Sequence, residues 1–201
     1  MTNAGKSIGS EIELQRWVPS RTIVLVGLMG AGKSCVGRRL AARIGRPFID
    51  ADAEIEVAAG CSINDIFERL GEPAFREGER RVMNRLLDGP LAVIAAGGGA
   101  FAEADTRTLI AAKALSIWLR AELDVLVRRT AGRAHRPLLN AADPRLVLQR
   151  LMDKRHPIYA QADIVVDTGD QPAEATVERV LDALRTYAAA RVSAGPASLH
   201  A

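Results

Sequence analysis

The sequence predicts a three-layer α/β domain built on a five-stranded parallel sheet. Short apolar runs alternate with longer segments of helical period, which is the pattern of successive strand–helix–strand units. The first apolar run leads directly into a glycine-rich phosphate-binding motif and then into a helical segment. At 201 residues the chain is long enough for one domain that buries about 70% of the surface of its unfolded form.

Five apolar runs are the predicted strands. They cover Thr22–Val26, Pro47–Asp50, Leu91–Ala96, Leu115–Leu119 and Asp163–Asp167. Each successive pair is separated by a segment long enough for a crossover helix, so the strands are expected to run parallel.

Capping chemistry marks the predicted helices, which cover Cys35–Ile44, Ile63–Leu70, Pro144 to about His156, and Pro172–Ala190. Ser62 and Asp65 can form a capping box at the start of the second helix. Gly45 and Gly60 stand where helices should end. Pro157 is expected to stop the third helix.

The composition excludes several classes of protein. The formal net charge is +3, and 27 basic residues are interleaved with 24 acidic ones, so nothing favours nucleic-acid binding. No apolar run approaches the ~20 residues of a membrane span, and residues 1–19 lack the apolar core of a secretion signal. The only cysteines are Cys35 and Cys61, which argues against a disulfide framework and favours the reducing cytoplasm.

Both ends of the chain are expected to lie outside the folded domain. Residues 1–20 mix polar residues with glycine and serine, which predicts a flexible N-terminal extension. Residues 191–201 are small and polar, which predicts a disordered tail. Residues 21–190 then form the single predicted domain.

The phosphate-binding motif G-x-x-x-x-G-K-[ST] occupies Gly27–Ser34. Its glycines let the backbone turn sharply and direct N–H groups at phosphate oxygens. Lys33 can reach the β- and γ-phosphates of a nucleoside triphosphate, and the Ser34 hydroxyl can ligate Mg2+. The alternative is a glycine-rich turn that matches by chance. The motif leaves the phosphate acceptor open.

The second predicted strand ends in Asp50-Ala51-Asp52. Residues two apart on a strand point to the same side, so Asp50 and Asp52 are both expected to face the γ-phosphate and the acceptor. Asp50 is suited to the Mg2+ shell, directly or through water, and Asp52 to accepting a hydrogen bond from the attacking hydroxyl. The alternative is that they simply cap a helix that begins near Glu54.

Three glycines, Gly97 to Gly99, follow the third predicted strand, where many phosphate-binding-loop enzymes carry an acidic metal ligand. The metal therefore depends on Ser34, phosphate oxygens, water and Asp50. The glycines allow a ligand to approach the backbone closely and offer it N–H groups. A purely structural turn is the alternative.

Three arginines are candidate binders of anionic groups. Arg76, beside Phe75, can bind a carboxylate with both prongs of its guanidinium, and Arg155 can join it around an acidic substrate. Arg136 lies in a basic loop that can close over ATP and deliver an arginine to the transferred phosphoryl group. Its neighbour His135 is expected to be exposed to solvent and to act neither as a base nor as a ligand.

Taken together, these motifs resemble the shikimate kinase family in their order and spacing. The resemblance covers roughly Arg21 to Tyr187 and rests on Gly27–Ser34, Asp50-x-Asp52, Phe75-Arg76, Gly97–Gly99, Arg136–Leu139 and Arg155-x-Pro157-x-Tyr159. It implies a P-loop kinase fold with strand order 2-3-1-4-5, a substrate-binding insertion after the second strand and a mobile lid over about residues 130–142.

The resemblance also implies the activity. Members transfer the γ-phosphate of ATP to the 3-hydroxyl of shikimate, giving shikimate 3-phosphate and ADP in the pathway to chorismate and the aromatic amino acids. It implies an ATP-dependent phosphotransferase with an alcohol acceptor and Mg2+ as cofactor, acting as a cytoplasmic monomer without nucleic-acid or membrane partners.

Carried over by position, the resemblance assigns the site residues. It places ATP phosphates at Gly30, Ala31, Gly32, Lys33, Ser34, Cys35 and Arg136, and adenine at Arg129. It places shikimate at Asp52, Arg76, Gly98 and Arg155, and Mg2+ at Ser34 with Asp50 behind it. The expected catalytic residues are Lys33, Asp52 and Arg136. Cys35 stands where relatives often have threonine, which removes a hydroxyl contact to the nucleotide.

Two other functions compete with this interpretation. One is another small-molecule kinase of the same group, such as a gluconate kinase, whose acceptor is also a hydroxylated acid. The other is a ligand-sensing regulator that keeps a kinase-like domain, although the 20 residues before the first strand are too few for a helix-turn-helix output domain.

Overall fold

A computed structural model describes residues 18–131 and 143–193 of the chain. Most of the expected N-terminal extension, the expected lid from residue 132 onward, and the tail from residue 194 lie outside the described residues. Arg136 and His135 fall in the second of these segments, so their predicted roles stay predictions.

The sheet has five parallel strands in the order β2-β3-β1-β4-β5. They are β1 Thr22–Val26, β2 Phe48–Asp50, β3 Val93–Ala95, β4 Ala114–Ala121 and β5 Ile164–Thr168. All five lie where apolar runs predict them. The expected fold class and strand order are confirmed.

Helices cover both faces of this sheet. They are α1 Lys33–Arg43, α2 Ala51–Ala59, α3 Ile63–Leu87, α4 Ala104–Lys113, α5 Leu123–Thr130, α6 Pro144–Tyr159 and α7 Ala173–Ser193, with a 3-10 turn at Ala100–Ala102. Helices α1 and α7 contact each other on one face. On the other face, α4 contacts α3 and the 3-10 turn, and the 3-10 turn also contacts α6.

The centre of the core is β1, whose five residues are all buried. A parallel strand covered by helices on both faces must be apolar throughout, which is why Ile23 to Val26 form a continuous hydrophobic run rather than an alternating one. The strands end together at one edge of the sheet. That edge carries Gly27, Asp50 and Gly97.

Two helices extend beyond their predicted C-termini. Helix α7 continues from the predicted end at Ala190 to Ser193, so the expectation of a disordered tail is wrong for residues 191–193. The helix expected to stop at Pro157 continues to Tyr159. Pro157 removes one backbone hydrogen bond of the helix. Only two residues follow it before the helix ends, so little of the helix depends on that bond.

The helix predicted over Ile63–Leu70 ends where expected, because Gly71 has a non-helical φ of 80° and ψ of 174°; a second helical segment follows it directly and completes α3 to Leu87.

Within the described part of the chain, no helix is both long enough and apolar enough to cross a bilayer.

Candidate active site

The phosphate-binding loop joins β1 to α1 through three glycines with positive φ. These angles are 137° at Gly27, 82° at Gly30 and 93° at Gly32, which L side chains rarely adopt. At Gly27 a Cβ would also lie 2.6 Å from the Leu119 carbonyl oxygen. Helix α1 begins at Lys33, so its positive dipole end points into the loop.

A cavity of about 420 Å³ opens above this loop. It is lined by the loop, by the first turn of α1 including the exposed Cys35, by Arg129, by the last residue of β5 and by the first turn of α7. Of the loop residues predicted to bind phosphate, Ala31 is buried, with 1% of its surface exposed. It does not line the cavity, and its backbone N–H donates to the Leu28 carbonyl oxygen at 3.2 Å.

Arg129 bridges the two sides of the cavity mouth. Its Nη1 donates to the Gly30 carbonyl oxygen and to Thr168 Oγ1, each at 3.3 Å, and its Nη2 donates to the Gly169 carbonyl oxygen. The planar guanidinium is held between the phosphate-binding loop and the end of β5. That is a suitable position for a group that covers the base of a nucleotide.

Lys33 lies over its own loop. Its Nζ donates to the Gly27 carbonyl oxygen at 2.8 Å and to the Leu28 carbonyl oxygen at 3.1 Å. These contacts keep the ammonium at the mouth of the glycine-rich turn, where the terminal phosphates of a nucleotide would lie.

Ser34 and Asp50 are brought together, as the sequence predicts. Ser34 Oγ donates to Asp50 Oδ2 at 2.7 Å, and Asp50 Oδ1 accepts from the Asp52 backbone N–H at 3.2 Å. Asp50 is therefore both the N-cap of α2 and the partner of the loop serine. Among the residues that the structure describes, no group of three or more His, Cys, Asp or Glu is placed to hold a metal.

The expectation that Asp50 and Asp52 share one strand is wrong. Strand β2 ends at Asp50, and Asp52 lies in the first turn of α2, which begins at Ala51 and not near Glu54. Asp50 is both the last residue of β2 and the N-cap of α2, so the helix follows the strand directly. Asp52 nevertheless faces the glycines after β3, because a Cβ on Gly97 would lie 2.7 Å from its Oδ1.

The three glycines after β3 have different neighbours. A Cβ on Gly97 would meet carboxylate oxygens, and one on Gly99 would lie 2.6 Å from Arg76 Nη1. The nearest atom to a Cβ on Gly98 would be the Met29 backbone nitrogen at 3.7 Å, an ordinary contact. Gly97 and Gly99 thus make room for charged side chains, and the half-buried Gly98 lies against the phosphate-binding loop.

Arg76 is held beside these glycines by carboxylates. Its Nη1 donates to Glu79 Oε2 at 2.7 Å, and its Nη2 donates to Glu72 Oε1 at 3.0 Å. Its guanidinium also lies 5.1 Å from the centre of the Phe75 ring. The Arg76 side chain is 20% exposed, so a ligand can reach it.

Glu79 is a site residue that the sequence reasoning missed. It is 2% exposed, and a Cβ on Gly97 would lie 2.7 Å from its Oε1, as from Asp52. Glu79 is four residues after Phe75 and three and four residues before Val82 and Met83, which is the spacing of one buried helix face. This spacing is the feature of the sequence that indicates its burial. Burial raises the pKa of the Glu79 carboxyl, while the hydrogen bond from Arg76 opposes that rise.

Arg155 and Tyr159 converge on the same carbonyl. Arg155 Nη1 donates to the Gly98 carbonyl oxygen at 2.9 Å, and the Tyr159 hydroxyl donates to the same oxygen. Arg155 and Arg76 therefore flank neighbouring glycines. The predicted acceptor residues Asp52, Arg76, Gly98 and Arg155 lie around one short segment of backbone.

Comparisons with known proteins agree on one family. The family model described as shikimate kinase matches residues 29–185. The shikimate kinase of Paramagnetospirillum magneticum is 60% identical over 185 residues, covering 89% of this chain and 95% of the relative. That of Caulobacter vibrioides is 57% identical over 166 residues, covering 83% of each. A solved shikimate kinase from Acinetobacter baumannii in complex with shikimate has a TM-score of 0.81 and 33% identity, covering 92% of this chain and 99% of that one.

Proposed function

The chain belongs to the shikimate kinase family, so it is an ATP-dependent kinase acting on an alcohol group, and we propose that it phosphorylates the 3-hydroxyl of shikimate. The products are shikimate 3-phosphate and ADP, on the route to chorismate and the aromatic amino acids. The observation that carries the proposal is the arrangement of Asp52, Arg76 and Arg155 around Gly97–Gly99, beside the phosphate-binding loop.

The acceptor end supplies what a hydroxylated acid requires. Hydrogen bonds to described residues engage three of the five N–H groups of Arg76 and leave one on Nη1 and one on Nη2. Such a pair of N–H groups fits the two oxygens of a carboxylate. Arg155 adds a second guanidinium, and we assign to Asp52 the orientation of the attacking hydroxyl. Phosphoryl transfer through a loose transition state asks for positioning more than for a strong base.

The nucleotide end fits the phosphates of ATP. Gly30 and the residues from Gly32 to Cys35 line the cavity, and we assign their backbone N–H groups to the phosphates and the Lys33 ammonium to the β- and γ-phosphates. Arg129, at the cavity mouth, is assigned to the adenine. The two ends meet where Gly98 lies against Met29, so an acceptor on the glycines lies next to the terminal phosphate.

The donor set at Ser34 and Asp50 fits Mg2+. A hydroxyl and a carboxylate oxygen 2.7 Å apart are hard oxygen donors of the kind that this ion prefers. Ser34 would hold the ion, Asp50 would orient Ser34 or bind a metal water, and the remaining ligands would be phosphate oxygens and water. When bound, the ion neutralises charge on the transferred phosphoryl group.

Several further statements stand as parts of this proposal. The enzyme acts as a monomer in the cytoplasm, in accord with its two free thiols, Cys35 and Cys61. Residues 21–190 form the catalytic domain. Arg136 serves the transferred phosphoryl group from a lid over about residues 130–142, a role that rests on the sequence alone.

The proposal is tested by an ADP-release assay with shikimate, gluconate and nucleoside monophosphates as acceptors. We expect ATP-dependent turnover with shikimate and little with the others, because the chain belongs to the shikimate kinase family and nucleoside monophosphates have no carboxylate for Arg76 and Arg155. Turnover with gluconate and none with shikimate would overturn the choice of acceptor. Binding of ATP and shikimate without turnover would favour a ligand-sensing protein.

A further inference from the structure

The Gly98 carbonyl is held differently from the carbonyls of the glycines beside it. The Gly97 oxygen accepts from the Ala100 backbone N–H at 3.2 Å and the Gly99 oxygen from the Ala102 backbone N–H at 2.9 Å, whereas the donors to the Gly98 oxygen among the described residues are side chains. Glycine has no side chain of its own to restrict φ and ψ. The peptide that joins Gly98 to Gly99 lies between the phosphate-binding loop and Arg76. Its orientation therefore depends on the groups that donate to the Gly98 carbonyl.

Two side chains of α6 make those donations. Arg155 and Tyr159 are four residues apart and so lie on the same face of the helix. Arg155 Nη1 donates at 2.9 Å, and the Tyr159 hydroxyl donates to the second lone pair of the same oxygen. One carbonyl thus receives two hydrogen bonds from a single helix.

The two donors differ in their freedom to move. Tyr159 is 1% exposed and packs beside Trp118 and Phe101, with ring centres 5.9 Å and 6.3 Å away. Burial raises the pKa of its hydroxyl to about 12, so Tyr159 stays a donor at physiological pH. Arg155 is only partly buried and has a long flexible side chain. The tyrosine is the fixed donor and the arginine the movable one.

We propose that Tyr159 is a positioning residue for the acceptor: it holds the Gly98 carbonyl, so that Arg155 can leave this oxygen and bind the carboxylate of shikimate. This inference rests on the proposed function. With Tyr159 in place, the carbonyl keeps one hydrogen bond when Arg155 moves, and the peptide does not turn. Without the hydroxyl, Arg155 cannot bind the acid unless it leaves a part-buried carbonyl without either donor.

The test compares Tyr159→Phe with Tyr187→Phe. The chain has two tyrosines, and the hydroxyl of the half-buried Tyr187 accepts from the exposed Arg191 on α7, so the control removes one hydroxyl outside the glycine segment. For Tyr159→Phe we expect the KM for shikimate to rise about 5- to 10-fold, the range of one lost hydrogen bond, with smaller changes in kcat and in the KM for ATP. Tyr187→Phe should leave all three constants unchanged.

A double-mutant cycle separates positioning from a general loosening of the fold. Shikimate binding is followed through Trp118 fluorescence in a Trp17→Phe background, at a temperature where circular dichroism shows every variant folded. In an Arg155→Ala background no arginine has to leave the carbonyl, so Tyr159→Phe should change the Kd for shikimate less than about 2-fold. The same fold-change in both backgrounds would assign Tyr159 a purely structural role and overturn the inference.

The outcomes also distinguish this inference from the function on which it rests. Failure of the wild-type enzyme to phosphorylate shikimate would contradict the proposed function. Normal turnover by the wild type, with Tyr159→Phe and Tyr187→Phe indistinguishable, would contradict only the role of Tyr159.

Discussion

Replacing Arg76 with lysine tests how the enzyme holds the carboxylate of its acceptor. Arg76 donates from Nη1 to Glu79 at 2.7 Å and from Nη2 and Nε to Glu72 at 3.0 and 3.2 Å, so hydrogen bonds to described residues leave two of its five N–H groups for the ligand. A lysine ammonium has three N–H groups on one nitrogen. The lysine can donate either to the buried Glu79 or to the substrate carboxylate. It cannot donate to both carboxylate oxygens in the parallel geometry of a guanidinium.

The expected loss follows from this count of hydrogen bonds. Arg76→Lys gives up one charge-assisted hydrogen bond to the carboxylate, a loss of about 1.5–3 kcal/mol, or about 10- to 100-fold in the KM for shikimate. The KM for ATP should change little, because Arg76 contacts Gly99 and not the nucleotide cavity. Steady-state kinetics with each substrate varied in turn, and the other saturating, measures both constants.

Arg80→Lys is the matched control. Arg80 lies one helical turn further along α3, its side chain is 47% exposed, and its partners are the surface carboxylates of Glu77 and Asp105. We expect its kinetic constants to match those of the wild type. An Arg76→Lys enzyme with an unchanged KM for shikimate would refute the assignment of Arg76 to the carboxylate.

Three further substitutions have defined outcomes. Lys33→Ala should lower kcat about 100- to 1000-fold in the ADP-release assay, because it removes the cation nearest the terminal phosphates; activity near that of the wild type would contradict the assignment. Asp50→Asn should raise the Mg2+ concentration for half-maximal activity about 10- to 100-fold in a metal titration at fixed ATP, and an unchanged titration would exclude Asp50 from the metal site. Glu79→Gln should raise the KM for shikimate and flatten the pH dependence of stability. Because the pKa of Glu79 is raised in the fold, its stabilising contribution is full below about pH 4.3 and is lost as pH rises through the folded pKa. Urea unfolding from pH 4 to 8 should therefore show the wild type losing stability relative to Glu79→Gln with rising pH, and parallel curves would count against this.

The parts of the fold that depend on local chemistry could be predicted from the sequence. The capping box of Ser62 and Asp65 forms at the start of α3, with a distance of 3.1 Å from the Asp65 backbone nitrogen to Ser62 Oγ. The phosphate-binding loop likewise follows β1 and opens α1 at Lys33. In each case the residues that decide the structure lie within a few positions of one another.

The position of Asp52 shows why local reasoning also failed. Alternation along a strand placed Asp50 and Asp52 on one side of the sheet, but the same sequence also allows Asp50 to cap a helix. The carboxylate of Asp50 accepts from the Asp52 backbone N–H, so the strand ends there and the helix begins. The sequence pattern does not decide whether the strand continues to Asp52 or Asp50 caps a helix. The contact of Asp50 with Ser34, which is distant in the chain, favours the cap.

Glu79 was missed for a different reason. A charged residue in a segment rich in arginine and glutamate is usually part of a solvated helix face, as Glu77 and Arg81 are. Glu79 shares its helix stripe with Phe75 and lies against Gly97, so its burial depends on how α3 packs on the sheet. That packing involves residues far apart in the chain. The pairing of Glu79 with Arg76 is therefore visible only in the folded structure.

We expect this enzyme to transfer a phosphoryl group to one hydroxyl of shikimate. The most direct measurement is phosphorus and proton NMR of the product formed from ATP, Mg2+ and shikimate. We predict one equivalent of ADP for each phosphorylated shikimate, with the phosphorus coupled to the proton on carbon 3. Phosphate on another hydroxyl, or ADP released without a phosphorylated shikimate, would contradict transfer to the 3-hydroxyl.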